Sequence, residues 1–106
     1  MTYNILVYKF EGKVPFNKWL DSLDTQDRYR IVMRINRLQA GNFSNCESVG
    51  EGISEIKIDT GPGYRVYYSH IKKQIILILF GGTKRFQQKD IDNAKKYLKE
   101  YKSREN

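Results

Sequence analysis

The chain has 106 residues, 40% of them hydrophobic and 13% aromatic, which suits one domain with a modest core and excludes wholesale disorder. Its formal charge of +7 is uneven: residues 1–53 carry 7 Lys/Arg against 6 Asp/Glu, and residues 54–106 carry 12 against 6, so the second half favours a polyanionic partner. The single cysteine, Cys46, excludes an internal disulfide and a cysteine zinc site, and with no membrane-length apolar run and no signal-peptide pattern a soluble cytoplasmic protein is expected.

Tyr3 to Phe10, rich in aromatic and branched residues, reads as a first strand. Pro15 suits the first turn of a helix on which Phe16, Trp19, Leu20 and Leu23 recur at helical spacing. A second helix starts from an N-cap at Asp24 or Thr25 and ends before Gly41; its apolar positions are Val32, Ile35 and Leu38, with Ile31 alongside. Arg30, Arg34 and Arg37 line one side of it, as a solvated face or as a contact to RNA. Residues 42–53, dominated by Asn, Ser, Gly and Glu, read as loop.

A hairpin follows, with strands at 54–59 and 64–70. Strand side chains alternate faces, so Ile56, Ile58, Val66 and Tyr68 share one side while Glu55, Lys57, Arg65 and Tyr67 take the other. A three-residue loop, Gly61-Pro62-Gly63, sets Ile58 opposite Val66, Lys57 opposite Tyr67 and Asp59 opposite Arg65. The next strand, 74–80, is apolar on both faces and belongs in the sheet interior. Gly81-Gly82-Thr83-Lys84-Arg85 then reads as a glycine loop carrying two cations, without the Gly-Lys-Ser/Thr ending of a P-loop. A last helix begins near Lys89 or Asp90, with Ile91, Ala94, Tyr97, Leu98 and Tyr101 as its stripe and Asp90 and Asp92 complementing its dipole. The expected fold is α+β in the order β-α-α-β-β-β-α, with a mainly antiparallel four-stranded sheet and both N-terminal helices on one face.

This order, with Glu55-Ile56-Lys57-Ile58, Gly61-Pro62-Gly63-Tyr64-Arg65-Val66-Tyr67-Tyr68, Gly81-Gly82-Thr83-Lys84 and Gln88-Lys89-Asp90-Ile91, resembles the RelE/HigB superfamily of bacterial toxins, and within it the HigB-like "addiction module killer protein" subgroup. The resemblance spans essentially the whole chain. It implies a two-layer RelE-like fold and a ribosome-dependent endoribonuclease that cuts mRNA in the ribosomal A site. A cognate antitoxin, of helix-turn-helix type as is usual for HigB-like pairs, would hold it inactive. Lys57 falls where such toxins place a general base, Arg65 matches the arginine that steadies the scissile phosphate, and Arg85 matches the one assigned to leaving-group charge. Glu55 stands where RelE itself is basic, and Ile91 where RelE has a functional tyrosine.

The residues support that chemistry on their own terms. RNA is cut without metal when the 2′-hydroxyl attacks its own phosphate, given a base, a charge clamp and help for the leaving oxygen. His70 ends a strand beside Lys72-Lys73 and reads as a surface residue. A lysine crowded by cations can act as base instead, with Arg65, Lys84 and Arg85 around Lys57 as the expected cluster and Glu55 as the rival base. Tyr67, on the basic face, is placed to stack on a nucleobase, while Tyr64 and Tyr68 read as core. Lys95, Lys96 and Lys99 together with Arg30, Arg34 and Arg37 form the expected ribosomal RNA surface. No cofactor or metal is implied; a non-catalytic RNA- or antitoxin-binding module is the alternative.

Overall fold

The structure is a computed structural model that describes residues 2–105. Its elements are β1 (Asn4–Val7), α1 (Pro15–Asp21), α2 (Thr25–Gln39), β2 (Cys46–Gly50), β3 (Ile53–Ile58), β4 (Tyr64–Lys72), β5 (Ile75–Thr83) and α3 (Gln87–Glu105), with a 3₁₀ turn, Lys84–Phe86, leading into α3. Asp24 caps α2 by accepting from the Asp27 amide at 2.8 Å. Gly41 closes it at a φ of +91°, the left-handed conformation glycine permits.

The sheet is five-stranded in the order β1-β5-β4-β3-β2, and β1 runs parallel to β5 while the other pairs are antiparallel. It therefore has one strand more than the sequence pattern suggests. β2 was expected to be loop; its polar residues Cys-Glu-Ser-Val-Gly are only half covered at the sheet edge, so they lack the apolar alternation of a strand buried on one face. The hairpin differs too. Ile58 pairs with Tyr64, Lys57 with Arg65, Ile56 with Val66 and Glu55 with Tyr67, leaving a five-residue loop from Asp59 to Gly63. That is a shift of two residues, which preserves which side chains share a face. The longer loop is fixed from outside, since Arg30 Nη1 donates to Thr60 Oγ1 at 3.1 Å and the Lys84 amide donates to Gly63 O at 2.7 Å.

The largest departure concerns layers. One face of the sheet packs Ile56, Ile58, Val66, Tyr68, Ile76 and Ile78 against Phe16 of α1 and Ile31 and Leu38 of α2, as expected. The other face is also covered: Ile53, Tyr67, Leu77 and Leu79 pack against Ile91, Ala94 and Leu98 of α3. The helix stripe at 91, 94 and 98 is apolar and has to be buried, and the free sheet face is where it goes. So the fold has three layers, and the face bearing Glu55, Arg65 and Tyr67 lies under a helix. On α2 the buried positions are Ile31 and Leu38, with Ile35 partly covered, whereas Val32 is exposed.

Candidate functional site

Lys57, Arg65 and Gly82 stand in one row across β3, β4 and β5. Gly63 brings the fourth member in: the space where its Cβ would lie is bounded by Lys84 Cβ at 3.4 Å and by Arg65 Nη1 at 3.8 Å. Arg65 and Lys84 thus meet at the hairpin loop, and Lys57 stands beside Arg65 in strand register with its ammonium drawn to Glu47 on β2. Arg85, in the 3₁₀ turn, is exposed and its guanidinium lies over the ring of Phe86 at 5.4 Å.

Arg65 is 6% exposed. Its Nη1 donates to Tyr64 O at 3.0 Å and lies 3.9 Å from Asp59 Oδ1, but its buried Nε has no hydrogen-bond partner among the described residues. A buried cation ordinarily has a close counter-charge. Here Asp59 is largely in solvent, so Arg65 keeps unspent hydrogen-bonding capacity beside the hairpin loop.

Glu55, expected as a rival base or as a salt-bridge partner, is 1% exposed and accepts from Gln87 Nε2 at 2.8 Å. Lys57 forms its own ion pair, Nζ to Glu47 Oε2 at 3.0 Å, with a third of its side chain exposed. Tyr67 corrects the sequence reading most sharply: it is 0% exposed beneath α3, its hydroxyl has no hydrogen-bond partner, and it offers no ring face to a base. Burial raises its hydroxyl pKa, reinforced by Glu55 and Asp90 and opposed by Arg65. Tyr64 and Tyr68 are core, as expected, and Tyr64 donates to Asp27 Oδ2 at 2.6 Å. His70 is exposed among the rings of Tyr3, Phe43 and Tyr68.

Gly81 and Gly82 are not a loop; both are buried in β5. A Cβ on Gly81 would overlap the Trp19 indole from one face, and a Cβ on Gly82 would overlap the Asp90 carboxylate from the other. The pair thins the strand so that α1 and α3 can both close onto it. Asp90 is consequently 8% exposed, and burial raises its carboxyl pKa, opposed by Lys89.

The expected ribosomal RNA surface divides in two. Arg30, Arg34 and Arg37 share a groove of about 380 Å³ with Lys57, Tyr29 and Asp59 along α2. Arg34 is also anchored there, donating from Nη2 to Ser44 O at 2.6 Å. Lys95, Lys96, Lys99 and Lys102 line a separate groove of about 390 Å³ beside α3, where Lys95 pairs with Glu51 at 3.0 Å. The sheet lies between the two helices, so the sets do not form one surface. Sequence reasoning passed over Glu47 and Gln87, which hold Lys57 and Glu55, and read Asp90 only as a helix-dipole residue; Glu47 lay in the stretch read as loop, and nothing in the pattern around Gln87 marks it.

A mixed sheet with two helices on one face and one on the other, and with cations collected at one hairpin, defines the class. The chain belongs to the Gp49-like family of phage-derived proteins (DUF891), whose sequence profile matches residues 18–99. A Haemophilus influenzae (strain Rd) protein named only as uncharacterized is 43% identical over 91 residues, which is 85% of this chain and 92% of that one. The fold is similar to that of the E. coli toxin RelE, in the free state of an arginine-to-alanine double mutant: TM-score 0.62, 15% identity, 87% of this chain and 97% of that chain. Among the described residues no group of three or more His, Cys, Asp or Glu is arranged to hold a metal ion, and no helix is long and apolar enough to cross a membrane.

Proposed function

We propose that residues 1–106 form the toxin of a type II toxin–antitoxin module, a HigB-like cytoplasmic endoribonuclease that cuts mRNA on the ribosome without a metal. The observation that carries this reading is the meeting of Arg65 and Lys84 around Gly63, with Lys57 beside Arg65 in strand register, on a chain of RelE-like fold. In the proposed reaction a base takes the proton of a 2′-hydroxyl, its oxygen attacks the adjacent phosphorus, and the 5′-oxygen leaves, giving a 2′,3′-cyclic phosphate. Lys57 is the base in its neutral amine form: released from Glu47 as RNA enters, it gives its ammonium proton to solvent before it takes the 2′-hydroxyl proton. Glu55 is sealed in by Gln87 and suits the role less well. The Arg65 guanidinium, at its Nη1 side beside Gly63, and the Lys84 ammonium clamp the charge that builds on phosphorus, and the 5′-oxygen leaves beside exposed Arg85, taking a proton from solvent.

The ribosome supplies geometry this site lacks, a contribution of up to roughly 7–11 kcal/mol in favourable intramolecular cases. The groove shared by Lys57 and the α2 arginines is the proposed ribosomal RNA contact, and Lys95 and Lys99 form a second basic surface. The proposed antitoxin is a helix-turn-helix protein with an acidic segment that covers these cations. The test is one transcript with and without stalled ribosomes, with Lys57→Ala as control. Cutting only of translated message supports the reading, and equal cutting of naked RNA overturns the ribosome dependence. A second reading, a non-catalytic RNA- or antitoxin-binding module, draws on the pairing of Lys57 with Glu47 and the burial of Arg65; cutting in neither arm would favour it.

A further inference from the structure

β1 stops at Val7, opposite Ile78, so Phe80, Gly81 and Gly82 of β5 have a strand neighbour only on the β4 side. The open edge forms two adjoining grooves. One, of about 710 Å³, runs between α1 and α3; the other, of about 450 Å³, runs along Gly81 to Thr83 toward the 3₁₀ turn. Trp19 and Phe80 line both, so the grooves adjoin as one trough, whose far end is lined by Thr83 and Phe86, the residues that flank Lys84 and Arg85 in the chain.

Its walls are mainly aromatic. Trp19 comes from α1, Phe80 from β5, Phe86 from the 3₁₀ turn and Tyr97 from α3, and the Phe80 and Tyr97 rings meet edge to face at 5.7 Å. Phe86 is 53% exposed, with the Arg85 guanidinium 5.4 Å from its ring centroid. The rim is cationic, with Lys13 and Lys18 at one end and Lys89 at the other. Ser22, Thr83 and Asn93 supply polar groups at its sides.

We propose that this trough is a binding path for single-stranded RNA, with nucleobases stacking on Phe86 and entering between Trp19 and Phe80 while phosphates follow Lys13, Lys18 and Lys89. Rings from four elements between lysines are the pairing of stacking platforms and charge that single-stranded nucleic acid requires. An acidic amphipathic helix suits the trough less well: it calls for an aliphatic groove, and here only Val14 and Pro15 are aliphatic. Its Thr83–Phe86 end flanks Lys84 and Arg85 in the chain, which suits an approach to the proposed cleavage site, so the inference rests on the proposed RNA-cleaving reading while naming a surface that reading does not use.

Trp19 is the only tryptophan in the chain, so its fluorescence reports occupancy directly. The full chain is titrated at low salt with a short single-stranded oligoadenylate, with inorganic polyphosphate as a charge-only probe, and with an acidic amphipathic peptide. The oligoadenylate should quench Trp19 saturably, and polyphosphate should not. Phe86→Ala, at an exposed position, should weaken binding by about tenfold, the order expected for losing one stacked base. Lys13→Glu combined with Lys18→Glu should weaken it further and flatten its salt dependence. Unchanged affinity in Phe86→Ala, equal quenching by polyphosphate, or quenching by the peptide alone would overturn the assignment. The stalled-ribosome cleavage assay separates the two ideas: cleavage by the parent without oligoadenylate quenching refutes the trough alone, and quenching without cleavage refutes the nuclease alone.

Discussion

Gly82 and Asp90 compete for one space: the carboxylate of α3 lies where a side chain on β5 would begin. Gly82→Ala is therefore expected to lift Asp90 and the first turn of α3 from the sheet, at about 1–3 kcal/mol of stability. Denaturant melts should show it, together with a change in Trp19 emission, since α1 presses on the adjoining Gly81.

The Asp90 carboxyl titrates above its ordinary value of 3.8 because it is buried. A raised carboxyl favours the fold most when protonated; that contribution is complete below the ordinary value and is lost as pH rises through the raised one. Asp90→Asn should remove this acid-side dependence and hold or raise stability at neutral pH. Urea melts of parent and variant across a pH series check it, and parallel curves would refute it.

Lys57 and Glu47 give a paired prediction. Lys57→Ala should abolish cleavage by about 10²–10⁴-fold while costing about 0–1 kcal/mol of stability, since the partner carboxylate is mostly in solvent. Glu47→Gln frees the same ammonium and should leave cleavage equal or faster. A Glu47→Gln variant as inactive as Lys57→Ala would mean the ion pair itself is required.

Tyr67→Phe deletes a buried hydroxyl that has no partner, so it should leave stability equal or up to about 1 kcal/mol higher. RNA affinity should not change. A loss of RNA binding in a folded Tyr67→Phe variant would reinstate the stacking role that burial argues against.

Tyr64 ties β4 to α2 through Asp27, and burial with that hydrogen bond pushes its hydroxyl pKa from 10.0 up to about 12. The stabilisation is full below pH 10 and is lost as pH rises toward 12. Tyr64→Phe should lower stability at neutral pH by about 1 kcal/mol and shrink the alkaline loss, measured by melts against pH.

Face alternation made much of the fold legible: it put Ile56, Ile58, Val66 and Tyr68 on one face and Lys57 on the other, even though the hairpin register is two residues away from the expected one. Parity is written in local sequence, but register here depends on Thr60 and Gly63 bonding to residues from α2 and the 3₁₀ turn, which no local pattern encodes. The same holds for the site. Lys57, Arg65 and Lys84 could be grouped from their positions, yet the burial of Arg65 and Tyr67 follows from where α3 docks. An apolar stripe says that a helix must be covered and is silent about by which face.

The parallel pairing of β1 with β5 also constrains how the chain comes into being. Asn4 meets its strand partner only at Ile75, so the N-terminal strand waits through both helices and the hairpin before it can close the sheet. During synthesis that strand and the inner stripes of α1 and α2 remain without their cover, a window in which a chaperone or a bound partner has most to gain. Arg65 and Lys84 reach their final surroundings only after β5 and α3 have emerged. A nascent chain of this kind therefore lacks its assembled Arg65–Lys84 corner until it is nearly finished, and any partner that recognises that corner has to wait for the last helix.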